Sequence, residues 1–200
     1  MAISRERLNQ GISYEQFLDA MSRNRDRVEA NERNAVLSQE DLAAFRALDQ
    51  PIEVMALVED WCGDVVANLP ILARIAKDSG KLNLHLFVRD ENPDLKQIYR
   101  NGPYESIPVF AFYDQDMNEI GRFVERPRSI TELRAEKRRE LYADHPEFGA
   151  PDAPVDQLPE DIRAELSRLN QEIRTQTASH GAPATVREIR QIVERAATKR

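Results

Sequence analysis

Two spacings of apolar residues divide the chain. In its middle, IEVMALVE (52–59) is a nearly continuous apolar run rich in β-branched side chains, which suits a strand covered on both faces. LNLHLFV (82–88) alternates through Leu82, Leu84, Leu86 and Val88 and predicts a second strand. IPVFAFY (107–113) predicts a third, DQDMN (114–118) a turn, and EIGRFVE (119–125) a strand that pairs back as a hairpin. Between these runs the period lengthens to that of a helix. Val66, Leu69, Leu72 and Ile75 share one face of a segment from Asp64 to about Asp78, and ENPDLKQIYR (91–100) reads as a short helix with Pro93 near its start. Ser129 and Glu132 form a capping box that opens a helix to about Tyr142. The resulting β-α-β-α-β-β-α order predicts an α/β fold with helices on both faces of one sheet.

The flanks are helical in pattern. Residues 13–33 carry a capping box at Ser13 and Gln16 and a partial stripe of Phe17, Leu18, Met21 and Val28; a shorter helix starts at Ser38 with Leu42, Phe45 and Leu48 inward. HPEFGAPDAPVDQLP (145–159) holds four prolines in fifteen residues and reads as a linker or an ordered loop. Residues 159–175 then form an amphipathic helix: Pro159 takes the first turn, Glu160 and Asp161 suit its positive end, and Ile162, Leu166, Leu169 and Ile173 make one stripe. SHGAP (179–183) is expected to break it, after which Thr185 and Glu188 cap a last helix with Val186, Ile189 and Val193 on one side. The expected organisation is a helical lead (1–37), a domain (38–142), a linker (143–158) and a C-terminal helical extension (159–200). The two final stripes need a partner surface, either the chain's own domain or a second copy in a homodimer through the C-terminal helices.

Composition narrows the function. The chain has 200 residues, 41% hydrophobic and 32% charged, enough apolar material for a core beneath a well-solvated surface. A net charge of −7 argues against a general nucleic-acid binder and against an anionic-membrane binder. No apolar run approaches the ~20 residues that span a bilayer, and MAISRERLNQ lacks the apolar core of a secretory signal. A single cysteine cannot close an intrachain disulfide, which suits a reducing compartment, so a cytoplasmic location is expected. His85, His145 and His180 are scattered without ligand spacing, so no metal and no cofactor is expected. Lys137-Arg138-Arg139 reads as a solvated helix face, and the arginines of the last helix are interleaved with Glu188 and Glu194, a weak nucleic-acid signal. No phosphate loop, hydrolase triad or dinucleotide fingerprint is present.

One stretch carries chemistry. EDWCGDV (59–65) places Cys62 between the first central strand and the start of the next helix. Trp-Cys-Gly at that junction resembles the thioredoxin superfamily, whose signature is Trp-Cys-Gly-x-Cys. Pro70, eight residues after Cys62, stands where the family kinks its helix. Ile107-Pro108 stands where the family carries a cis-proline facing the active cysteine, and the β-β-α ending follows. The resemblance covers roughly residues 38–142 and, in EDWCGDVVANLPILARIA, FVRDENPDL and SIPVF, is similar to a bacterial thioredoxin-like group. It implies a central mixed sheet, Cys62 as the reacting group, Trp61, Gly63, Ile107 and Pro108 as substrate contacts, and Asp64 and Val65 as modulators of the loop. Two departures matter. The position of the family's resolving cysteine is Val65, and the position of its buried aspartate is Ala56. Dithiol exchange within the loop is therefore closed to this chain.

The reactivity of Cys62 depends on its acidity, because the thiolate is the nucleophile. A helix N-terminus lowers a thiol pKa by about one unit, whereas Glu59, Asp60 and Asp64 oppose ionisation. Arg122, Arg126 or Arg128 could tip the balance if the fold brings one close. A lone cysteine is often just a small buried apolar residue, and Trp61 and Pro108 can equally be packing residues. Two readings stand. In the favoured one, Cys62 carries out monothiol thiol–disulfide exchange or thiol sensing with a protein or low-molecular-weight thiol as partner. In the other, the chain is a redox-inactive binding module that uses the Trp61/Ile107 surface or the C-terminal stripes. An iron–sulfur cluster shared across a dimer lacks further visible ligands.

Overall fold

A computed structural model describes residues 3–151 and 153–198; positions 1, 2, 152, 199 and 200 of the expected segments lie outside the described residues. Four strands form one mixed sheet in the order β2-β1-β3-β4. Strand β1 (Ile52–Val58) is central and buried at every position, as its nearly continuous apolar run requires; its one charged residue, Glu53, is paired with His85. It pairs in parallel with β2 (Leu82–Val88) and antiparallel with β3 (Val109–Tyr113). Strand β4 (Glu119–Val124) closes the hairpin on β3. The parallel pair needs a crossover, and helix α5 (Gly63–Ser79) supplies it, with Pro70 inside and Gly80 as its left-handed C-cap at φ 65°, a conformation glycine adopts without strain.

Four helices precede the sheet: α1 (Arg5–Leu8), α2 (Tyr14–Ala20), α3 (Arg25–Asn34) and α4 (Gln39–Arg46). The capping box at Ser13 and Gln16 is formed, and Ser38 caps α4 through the Asp41 N–H. The helix expected over 13–33 is instead two, because the carboxylate of Asp60 takes the backbone N–H groups of Ser22 and Arg23 at 2.8 and 3.0 Å and holds a turn there, with Asn24 at φ 60°. Helix α1 has no apolar period long enough to announce it. Between α1 and α2, Ile12 exchanges two backbone hydrogen bonds of 2.9 Å with Leu86, along the outer edge of β2.

After β2, a turn of 3-10 helix (Arg89–Glu91) precedes α6 (Pro93–Ile98), shorter than the expected 91–100. Helix α7 (Arg128–Asp144) starts before Ser129, which therefore lies inside the first turn and not at its cap. The expected break at 179–183 is absent. Helix α8 runs from Glu160 to Thr198 with Pro183 inside. An interior proline removes one hydrogen bond and costs about 3 kcal/mol, but the residues beyond it bury enough apolar surface to hold the helical form: Val186, Ile189, Ile192 and Val193 are each at most 4% exposed.

The chain's internal contacts group into two units. The first comprises residues up to Pro127 together with those from Ala182 onward; the second is Arg128–Gly181. In the first unit the core includes the faces of β1, β3 and β4, with Phe110 stacked on Phe123 at 5.3 Å, and it includes the last stretch of α8. There Ile192 lies so close to β4 that a Cβ at Gly121 would meet its Cγ2 at 3.0 Å. The second unit has a small core of Tyr142, Phe148 and Leu166, flanked by Leu141, Leu158, Ile162 and Leu169. Both apolar stripes of α8 thus contribute to cores within the chain itself. Among the described residues, no helix is long and apolar enough to cross a membrane.

Candidate functional site

The site is built where β1 ends and α5 begins. Two carboxylates anchor the connecting loop. Glu59, only 7% exposed, accepts from the Asp90 N–H at 2.9 Å. Asp60 accepts from the Ser22 hydroxyl and N–H and from the Arg23 N–H, and Asn24 donates to the Asp60 carbonyl at 2.8 Å. Burial works against the Asp60 charge, yet the Ser22 and Arg23 bonds hold its carboxyl below the usual range. Of the three acids near the sulfur, Glu59 and Asp60 thus serve as struts that fasten the loop to the 3-10 turn after β2 and to the α2–α3 turn.

Cys62 is the N-cap of α5, and its carbonyl accepts the Val66 N–H at 3.0 Å. Its sulfur is half-buried, and the thiol donates to the Ile107 carbonyl at 3.5 Å. The Ile107–Pro108 peptide is cis. Burial pushes the Cys62 thiol up, the backbone N–H groups of Val65 and Asp64 pull it down, and the Asp64 and Arg126 charges act in opposite directions; the net direction is up. The helix N-terminus alone would have lowered it. Desolvation outweighs the dipole because the sulfur sits against Ile107 and not in open water.

Of Arg122, Arg126 and Arg128, Arg126 is the one that pairs with Asp64 of this loop. Its Nε lies 3.2 Å from both Asp64 carboxylate oxygens and its Nη1 3.1 Å from Glu125. Burial would weaken the Arg126 charge, but the bond and attraction to Asp64 raise its pKa overall. Arg122 pairs instead with Glu119 and covers the Tyr99 ring at 4.7 Å, and Arg128 pairs with Glu132. Asp64 is therefore a neighbour of Cys62 paired with a cation, and Arg126 partly offsets its effect on the thiol.

The other residues singled out in the sequence fall into three groups. Trp61 is 47% exposed beneath the Arg89 guanidinium at 5.2 Å, and a Cβ at Gly63 would meet nothing within 4 Å, so both face open space. Ile107 and Pro108 lie across from the sulfur. Val65 and Ala56 are fully buried. The sequence reading missed Asn68 and Thr185, two buried polar residues that hydrogen-bond each other at 2.6 Å behind the loop. Asn68 was visible only as a polar residue in an apolar stretch of α5, and Thr185 was read as a helix cap. Next to Ile107, the buried Ser106 hydroxyl has no hydrogen-bond partner. Among the described residues no cluster of His, Cys, Asp and Glu could hold a metal ion; His85 instead pairs with Glu53 at 2.8 Å and His145 with Glu147 at 2.8 Å.

Comparison with known proteins gives a family model described as thioredoxin, matching residues 11–138. No curated protein matches. A protein of unknown function from Pseudomonas aeruginosa, solved by crystallography, aligns over 97% of this chain and 99% of its own at 18% identity and a TM-score of 0.65. An HIV epitope scaffold aligns over 96% of this chain and 98% of its own at 15% identity and a TM-score of 0.62. At these identities the likeness speaks for the fold alone.

Proposed function

The chain belongs to the thioredoxin family, and we propose that within it the protein works with one thiol, capturing small-molecule or protein thiols through Cys62. The Cys62 thiolate attacks one sulfur of a disulfide R–S–S–R′. The S–S bond breaks, R′S⁻ leaves and takes up a proton, and a Cys62–S–S–R mixed disulfide remains. A second thiol, supplied from outside because position 65 is valine, then attacks that bond, carries R away as a new disulfide and returns the Cys62 thiolate. The observation that carries this reading is the half-buried sulfur at the first turn of α5, 3.5 Å from the Ile107 carbonyl. That carbonyl and its extended neighbours can hold a partner's backbone by strand-like bonds.

The raised thiol pKa shapes the kinetics. Little thiolate is present at neutral pH, so attack is slow. A more basic thiolate is also a poorer leaving group, so the mixed disulfide, once formed, persists. Both favour thiol sensing over rapid turnover. A cytoplasmic setting suits this cycle, because the glutathione pool there supplies the second thiol. A second copy is not required, since both stripes of α8 contribute to the chain's own cores.

The test is intact-mass spectrometry of the reduced, folded protein after exposure to oxidised glutathione. One glutathione adduct is expected on the wild type, none on Cys62→Ser, and dithiothreitol should remove it. Modification seen only after denaturation would exclude the proposal. It would favour the second reading, a redox-inactive binding module, for which the buried Val65 and Ala56 speak.

A further inference from the structure

Behind the Cys62 loop a chain of buried polar contacts ties three parts of the sequence together. The Asn68 side chain makes three hydrogen bonds: Nδ2 donates to the Asp64 carbonyl at 2.8 Å and to the Glu125 carbonyl at 3.1 Å, using both of its N–H groups, and Oδ1 accepts from the Thr185 hydroxyl at 2.6 Å. Asn68 is 3% exposed and Thr185 is 0%. Glu125 sits at φ 60°, an uncommon conformation for a non-glycine residue, and its N–H donates to the Pro108 carbonyl at 2.7 Å. The Glu125–Arg126 turn is thus hung between the proline that faces Cys62 and the helix that Cys62 caps. Beyond Pro127 the chain departs into residues 128–181, and Thr185 fastens its return to the same amide.

We propose that Asn68 and Thr185 are positioning residues of the Cys62 site, fixing the Glu125–Arg126 turn so that the Arg126 guanidinium stays paired with Asp64 beside the sulfur. This deepens the reading of Cys62 as the reacting group and rests on it. The charges that face the sulfur are Asp64 on α5 and Arg126 after β4. Glu125 is paired with Arg126, Glu59 with the Asp90 backbone and Asp60 with Ser22 and Arg23, while the β3 side offers the Ile107 carbonyl. If the turn loosens, Asp64 acts on the sulfur without its cation, and the thiolate is disfavoured.

The experiment is the pH profile of Cys62 alkylation by iodoacetamide on the full chain, followed by mass spectrometry beside thermal unfolding. Thr185→Val keeps the side-chain volume and removes the hydroxyl. It should shift the profile's midpoint upward and slow alkylation below that midpoint by about threefold or more, with the high-pH plateau unchanged. Arg126→Gln should shift the midpoint the same way, and Thr185→Ser should restore the wild-type profile. Thr185→Ala, read identically, serves if the valine variant does not fold. A lowered melting temperature with an unmoved midpoint would mean a merely structural contact and overturn the proposal, as would an Arg126→Gln profile equal to wild type. Alkylation needs no disulfide partner, so failure of the glutathione test leaves this result readable.

Discussion

The first two turns of α5 show two unlike sides. Inward, Val65, Val66 and Leu69 are at most 1% exposed, and the one polar residue among them, Asn68, is held by three hydrogen bonds. Outward stand Trp61, Gly63 and the Asp64–Arg126 pair, in contact with open space or partly wet. The helical period turns Val65, Val66, Asn68 and Leu69 inward and Gly63 and Asp64 outward, while Trp61 lies just before the helix and Arg126 approaches from beyond β4. The inner ones pack the helix into the core, and the outer ones, under the proposed function, would meet whatever reaches the sulfur. Stability and chemistry are therefore expected to separate by substitution, although the residues concerned are neighbours in sequence.

The largest effect should come from the inner side. Leu69→Ala removes a fully buried side chain, and such a change in a close-packed core costs about 2–5 kcal/mol. Urea unfolding is the measurement. A cost below about 1 kcal/mol would mean that this side is not sealed, and the contrast between the two sides would collapse.

The sulfur itself lies on the boundary, and pH shows to which side it leans. Burial holds the folded thiol above its ordinary value. For a group raised on folding, the stability it contributes is fully present below the unfolded value and is lost as pH climbs through the folded one. The stability difference between wild type and Cys62→Ser, read by urea unfolding, should therefore be steady up to the ordinary thiol range at about pH 8.5 and shrink above it. A flat difference through that range would place the sulfur among the outer, solvated groups.

Legibility in the sequence followed the same division. Strand β1 is legible because a segment covered on both faces has to be almost wholly apolar, and β2 because its leucines alternate. Cys62 and Pro108 were readable because the loop residues resemble a known family pattern. Asn68, Thr185 and Arg126 depend on contacts 57 to 117 residues apart, which no local period encodes. Thr185 is a further case: with Glu188 three residues on, a threonine reads as a cap, whereas α8 runs unbroken through it and its hydroxyl is turned to Asn68. The same holds for SHGAP, where Gly181 and Pro183 signal a break that packing beyond them overrides. The split at Met21–Asn24 was hidden because its cause, Asp60, lies nearly 40 residues downstream.

The smallest effect on stability is expected at the most conspicuous outer residue. Trp61 is 47% exposed, and the Arg89 guanidinium stacks over it at 5.2 Å. An exposed cation–π contact contributes only about 0.5–1 kcal/mol. Arg89 keeps its other bonds, to the Glu105 carbonyl at 3.1 Å and to Asp90 at 2.9 Å, when the ring is gone. Trp61→Ala should therefore shift the unfolding free energy by no more than about 1 kcal/mol. Its consequence should fall on recognition. Under the proposed exchange through Cys62, an extended peptide disulfide would lie along Ile107 and against the ring, whereas a small disulfide would reach the sulfur without it. Adduct formation with a peptide disulfide should fall in Trp61→Ala relative to the small one, as read by the ratio of the two initial rates. Equal losses for both would show that the ring supports the loop and offers no docking surface. A stability cost matching that of Leu69→Ala would show that Trp61 belongs with the inner side after all.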